Sequence, residues 1–276
     1  MNCFQLIKTV LDEAYAQIPG SPDEKDEAIK QSLRSLSEAY ANLLKEGCLD
    51  YADPARRFAY IYRYTTTHAN LVFSLLAGCP AAGAFFQRDK IVLCAIGGGP
   101  GSDFLGALKY CDALRLCPEL KCLLLDRDPA WGESWMDVDE KIASKLKLKT
   151  VFQPFDVTNP ASYKAYQKHF QADVFTLVYF MSEVYAMRDK AADYFRSLFE
   201  SAKSGSLFIF ADNNDSRFYN WFDQFAGQFG IDFIAKAEGN YQLPSSEEKT
   251  DLGEYYKKFE DPKLKANIAY RIGIKR

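Results

Sequence analysis

The chain has 276 residues, 48% of them hydrophobic and 26% charged, the composition of a soluble globular protein with one large domain or a domain and an appendage. A net charge of −3 argues against the broad basic field that duplex nucleic acid needs, while leaving a local RNA patch open. No apolar run approaches the roughly 18 residues of a membrane span, the amphipathic N-terminus is not a signal peptide, and with only His68 and His169 no histidine-based metal site is expected.

Residues 2 to 18 carry a helical stripe of Phe4, Ile7, Val10, Leu11, Ala14 and Ile18, ended by Pro19-Gly20. Ser21-Pro22-Asp23-Glu24 reads as a helix start, with a cap, a proline at the first position and early acids. That helix is expected through Ile29, Leu33, Leu36, Tyr40 and Leu43 to Gly47. Asp53-Pro54 opens a third, carrying Phe58, Tyr60, Tyr62 and Tyr64 onward to Leu76. Residues 1–85 therefore read as a helical cap. No Gly/Ser-rich linker follows, so the cap is expected to pack on residues 86–276 as a lid.

From Ile91 the rhythm changes. Strands are predicted at Ile91–Ile96, Lys121–Leu125, Thr150–Gln153, Asp173–Phe180 and Ser206–Phe210, with helices at 102–115, 130–147, 160–170, 189–203 and 215–229. This alternation implies a doubly wound, mostly parallel α/β sheet. Asp232–Ala237 and Asn267–Ile274 follow with no full-length helix between them. They read as an antiparallel pair at the sheet edge, joined by a charged surface loop at 238–262 that carries one short helix. The seven cysteines are scattered without a CxxC pair. They read as reduced, mostly buried thiols of a cytoplasmic protein, with the nucleus left open.

The densest signal is Ile91 to Phe104, IVLCAIGGGPGSDF. A buried strand breaks into Gly97, Gly98, Gly99 and Gly101, and a helix starts at once. Glycines let the backbone turn with positive φ and approach a ligand with no Cβ in the way. The helix start leaves N–H groups for an anionic or polar ligand. In an open α/β sheet, ligands bind beyond the carboxyl ends of the strands, so the residue after each strand matters. The second strand ends in Asp126, followed by Arg127 and Asp128. A carboxylate there can accept from both hydroxyls of a ribose. The third is followed by Phe155-Asp156-Val157, the fourth by Tyr179-Phe180-Met181-Ser182-Glu183, and the fifth by Asp212. Each has a plainer reading: Asp126 and Asp156 as helix caps, Glu183 as a solvated acid at a helix start, and Trp131 and Trp135 as core.

With these residues in place, the chain from about Ile91 onward resembles the class I S-adenosylmethionine-dependent methyltransferases. The GxGxG motif of that family is met by Gly97, Gly99 and Gly101, its ribose acid by Asp126 and its adenine-side acid by Asp156. The resemblance implies a Rossmann-like, seven-stranded sheet with an antiparallel last strand. It implies S-adenosyl-L-methionine as cofactor, held by Gly97, Gly98, Gly99, Gly101, Asp103, Asp126, Arg127, Asp156, Val157 and Tyr179. It also implies a methyl-accepting substrate; the acidic charge slightly favours a small molecule or protein, with RNA left open. One position departs from the family: Ala95 stands where an acid near the methionine amino group is usual, so either Asp103 or a lid residue supplies it or cofactor binding is weaker than usual. Glu183 and His68 are the candidate catalytic groups.

YFMSE after the fourth strand lacks the Asn-Pro-Pro-Tyr and Pro-Cys signatures of exocyclic-amine and cytosine-C5 nucleic-acid methylation. A nicotinamide oxidoreductase would need GxGxxG, and that spacing fails from Gly97 (sixth residue Ser102) and from Gly99 (sixth residue Phe104). A methyltransferase-like scaffold without catalysis stays open because of Ala95.

Overall fold

In the computed structural model, residues 2–42, 50–116, 118–142, 146–244 and 247–276 are described. Helix α1 (Cys3–Gln17) is capped by Asn2, and α2 (Pro22–Ala41) by Ser21, whose hydroxyl and the Glu24 carboxylate form a reciprocal capping box. The part of the second expected helix from Leu43 to Gly47 lies outside the described residues. Asp53 caps α3 (Pro54–Tyr60). The third expected helix is not regular. It widens into a π turn at Ile61–Thr65 before α4 (Thr66–Gly78). Such turns are rare and cluster at functional sites. This one carries Tyr60, Tyr64 and His68 in succession, with ring centroids 5.2 and 5.7 Å apart.

The sheet then forms from β1 (Lys90–Ile96), β2 (Glu119–Asp126), β3 (Lys147–Pro154), β4 (Val174–Val178), β5 (Leu207–Asn213), β6 (Ile231–Gln242) and β7 (Lys265–Lys275). Their order is β3-β2-β1-β4-β5-β7-β6. The first five are parallel, and β7 runs antiparallel between β5 and β6. Helices α5 (Ser102–Ala113), α6 (Ala130–Lys141), α7 (Pro160–Ala165), α8 (Phe180–Val184), α9 (Arg188–Ser201), α10 (Ser216–Gln228) and α11 (Glu254–Lys258) complete the chain. Two expectations were too long. The helix expected to 147 stops at Lys141, and from Lys147 half-buried Leu148, Thr150 and Phe152 alternate with exposed Lys149 and Val151, the period of a strand. The strand expected to Phe180 stops at Val178, because Tyr179 takes a left-handed backbone, φ 55°.

Alternation along each strand divides the interior. Ile91, Leu93, Ala95, Leu120, Cys122 and Leu124 face one core, while Cys94, Ile96, Leu123 and Leu125 face the other. The first core takes in α1, α2, α3 and α4 as well as α5 and α6. The helical segment and the sheet therefore share one apolar interior.

The 238–262 stretch is not the surface loop its charge suggested. β6 extends through Gln242, and Glu247, Leu252, Tyr255 and Phe259 are buried against the N-terminal helices. Glu247 accepts from the Cys3 and Phe4 N–H groups at 3.0 and 3.3 Å, closing the N-terminus of α1. It also pairs with Lys109 of α5, which donates to Asn70 of α4 at 2.6 Å. Tyr62 donates to the Glu260 carbonyl at 2.8 Å, and the Lys263 N–H donates to the Arg63 carbonyl at 2.9 Å. These contacts strap the segment onto the π turn.

Removing one partner of a buried ion pair leaves the other charge without compensation, at a cost of about 3–5 kcal/mol. Lys109→Met is therefore expected to destabilise the protein by about that amount, measured as a lowered urea midpoint with unchanged slope.

Candidate functional site

The chain winds from β1 outward to β2 and β3, then crosses to β4 on the other side of β1. This reversal opens a crevice beyond the carboxyl ends of β1 and β4, the place where open α/β sheets bind ligands. A cavity lined by residues from these strand ends and from the helical segment lies there.

The glycine turn forms one wall. Gly97, Gly99 and Gly101 have φ of 68°, 48° and 87°. A Cβ on Gly97 would lie 2.1 Å from the Phe180 ring, and one on Gly101 2.2 Å from Trp135. Crowding as well as turning thus demands glycine at these two positions. Gly98 sits directly over Ala95, where an added Cβ would come 3.0 Å from that of Ala95. Ala95 is fully buried, so the absence of an acid at this position goes with a tightly closed turn.

Asp126 ties the turn to the rest of the site. One carboxylate oxygen accepts from Gly99 N–H at 3.0 Å, and the other accepts from Asp128 N–H at 3.0 Å. Asp128 in turn accepts from Ala130 N–H at 3.0 Å, starting α6, and from Tyr51 N–H at 2.7 Å. Tyr51 shares a 2.9 Å hydrogen bond with Tyr40, and the Tyr40 hydroxyl donates to Glu183 at 3.0 Å. One hydrogen-bonded chain therefore runs from the glycine turn through three acids and two tyrosines to the post-β4 helix. The capping of α6 falls to Asp128, and that of α7 to Asn159, which accepts from Ala161 N–H at 3.0 Å. Asp156 accepts instead from both donors of Thr158, at 2.8 and 2.7 Å.

Among the sequence candidates, Gly97, Gly99, Asp126, Arg127, Asp156, Val157 and Glu183 line the cavity. Gly98, Gly101, Asp103, Tyr179 and His68 are not among its lining residues. Trp131, read as core, is buried and also lines the cavity, while Trp135 packs on Gly101 and Phe104. The roof comes from Tyr51 and Tyr60, packed on Trp131 with centroids 4.6 and 5.1 Å away. Tyr51 was missed, and its only local signal is that it stands two residues before the Asp53 cap of the next helix. His68 stacks on Tyr179 at 4.3 Å. Burial, and then Lys263, push its pKa well below the usual imidazole value, so it is neutral near pH 7.

Four carboxyls crowd this edge of the sheet. Burial raises Asp103 to about 7, Asp126 to about 6 and Asp212 to about 6. Glu183 rises to about 8, first by burial and then by repulsion from Asp126. Asp103 stands in the first turn of α5 with the Thr176 hydroxyl facing it, and Thr176 pairs with Ala95 across the β1–β4 ladder. A carboxyl thus faces the strand neighbour of position 95 although none grows from 95 itself.

No protein-family profile matches the sequence, and no curated protein matches it significantly. Solved structures do resemble the coordinates. The plantazolicin methyltransferase BpumL in complex with SAH is 17% identical with a TM-score of 0.47, over 90% of this chain and 99% of that one. The 16S rRNA methylase ArmA is 12% identical with a TM-score of 0.44, over 90% and 98%. Precorrin-6y C5,15-methyltransferase from Geobacter metallireducens is 14% identical with a TM-score of 0.42, over 71% and 89%. The strand order and the antiparallel β7 decide the architecture. The chain has the class I methyltransferase fold. What it does with that fold is argued from its own residues.

The four carboxyls bind protons more tightly in the folded than in the unfolded chain. Their contribution to stability is complete near pH 4 and is lost as pH rises through about 6 to 8. The thermal midpoint of the ligand-free protein is expected to fall between about pH 5 and pH 8.5. Glu183→Gln is expected to remove the part of that fall above about pH 7, as read by circular dichroism melts.

Proposed function

We propose that the protein is an S-adenosylmethionine-dependent methyltransferase. The observation that carries this reading is the meeting of the Gly99 N–H and the Asp126 carboxylate at the rim of one cavity, with Asp156 and Glu183 on its far walls. Asp126 would accept from the ribose diol, since two oxygens of one carboxylate suit two adjacent hydroxyls. Asp156 and Val157 would face the adenine, with Phe155 and Trp131 as apolar walls. The turn at Gly97–Gly101 would pass close to the amino-acid end. Asp103 would stand in for the missing acid at position 95, since it faces Thr176, the strand partner of Ala95, from the start of α5. Arg127 and Tyr179 complete the set, the first on the cavity wall and the second outside its lining residues.

When bound, the cofactor supplies an electrophilic methyl group on a positively charged sulfur. The residues described above bind, orient and dry the site, which is most of what an in-line displacement asks of a protein. Tyr40, Tyr51 and Tyr60 exclude water from above. Glu183 can hold or receive a proton on the side of the cavity where β4 ends. The net charge of −3 favours a small molecule or a protein over RNA as acceptor.

Calorimetry with S-adenosylhomocysteine tests this reading. Binding is expected, and Asp126→Ala is expected to weaken it more than about tenfold, or about 1.4 kcal/mol, without changing the far-ultraviolet spectrum. No heat with the wild type at high protein concentration would instead support a scaffold role. Heat with a nicotinamide dinucleotide alone would support an oxidoreductase.

A further inference from the structure

Resting on the methyltransferase reading, we infer that the methyl acceptor is an amine that enters the cavity as an ammonium ion and gives its proton to Glu183. Three observations converge on the wall that carries Glu183. First, that wall is acidic. Glu183 lies within electrostatic reach of Asp126 at the end of β2 and of Asp212 at the end of β5, and both raise its pKa. Arg127 is the cation that offsets part of this, and Lys263 sits nearer Asp212. An incoming cation relieves this repulsion, whereas a phosphate or carboxylate adds to it.

Second, the surrounding walls are aromatic. Tyr51, Tyr60 and Phe180 line the same cavity as Glu183. Aromatic faces attract ammonium groups and do not solvate anions. Third, Glu183 is positioned rather than loose. The Tyr40 hydroxyl donates to one of its oxygens, and Tyr51 holds Tyr40 in turn. That orientation is fixed through Asp128 and Asp126 to the glycine turn. A carboxylate held in this way and facing a cavity has the placement of a general base. Its pKa, near 8 without ligand, is within reach of an amine's.

The proton and electron count closes. The incoming ammonium draws Glu183 into its carboxylate form, and the proton it held in the empty site passes to water. The carboxylate then takes one proton from R–NH3+, leaving R–NH2 and a neutral carboxylic acid. The nitrogen lone pair forms the new C–N bond as the C–S bond breaks, and that bonding pair stays on sulfur as a neutral thioether. The methylated ammonium leaves, and Glu183 keeps its proton as in the empty site, so one proton reaches water per methyl transferred. An alcohol could use the same base but would gain nothing from the acidic wall.

The test uses three probes of one shape and different charge: benzylamine, benzyl alcohol and benzoate. Each is titrated at neutral pH into the full-length protein saturated with S-adenosylhomocysteine. The amine is expected to bind at least about tenfold more tightly than the alcohol, with benzoate weakest. Glu183→Gln is expected to abolish the preference and Glu183→Asp to retain most of it. Equal affinity for the amine and alcohol, tighter binding of benzoate, no binding of any probe, or an undiminished preference in Glu183→Gln overturns the proposal. Should Glu183→Gln fail to fold, the charge series in the wild type and in Glu183→Asp still decides. Failure of S-adenosylhomocysteine itself to bind would overturn the methyltransferase reading instead, so the two failures are told apart.

Discussion

Asp126 is the joint of this structure. A short carboxylate at the end of β2 can reach backward to the turn after β1 and forward to the loop that starts α6. It does both, through Gly99 and Asp128. The two backbone N–H groups it satisfies would otherwise be buried donors without partners, a costly state in a dry crevice. The conformations of the glycine turn and of the Asp128 loop are therefore tied together. Because Asp128 then takes Tyr51 N–H, the position of the helical roof is tied to them as well.

The same edge collects charge for a topological reason. Parallel strands all end on one side, so acids placed at several strand ends must come together. Asp126, Glu183 and Asp212 follow β2, β4 and β5, and Asp103 starts the helix after β1. Away from water, like charges interact strongly. Protonation is then the cheaper state until cations arrive: burial raises all four groups, and repulsion from Asp126 and Asp212 adds to it at Glu183. A site built this way favours positively charged ligands.

The roof is part of the fold. α1 to α4 enter the core of the sheet, and the Lys109–Glu247 pair with Asn70 joins α4, α5 and the loop after β6 while closing the start of α1. The π turn at Ile61–Thr65 is held by contacts from Glu260 and Lys263, which come from the far end of the chain. Its aromatic column of Tyr60, Tyr64 and His68 ends against Tyr179, whose left-handed backbone ends β4. Strain of that kind concentrates at functional edges.

Local rules decided much of this protein. Period-two and period-3.6 patterns placed all seven strands and most helices, because burial on one or both faces writes directly into residue order. Ser21-Pro22 and Asp53-Pro54 marked helix starts, since capping is settled within four residues. Gly97 to Gly101 marked the ligand turn, because positive φ and close approach leave few alternatives to glycine. Other features had no local signature. Tyr40 meets Glu183 from 143 positions away, with Tyr51 bonded to Tyr40 behind it. Glu247 looks like a surface acid until α1 and α5 close over it. The role of Asp103 facing the strand neighbour of Ala95 depends on the pairing of β1 with β4, an alignment set by the sheet and not by either segment. Elements and turns are properties of neighbours in the chain. Charge crowding, roofing and proton affinity belong to neighbours in space, and only the packed structure brings those together.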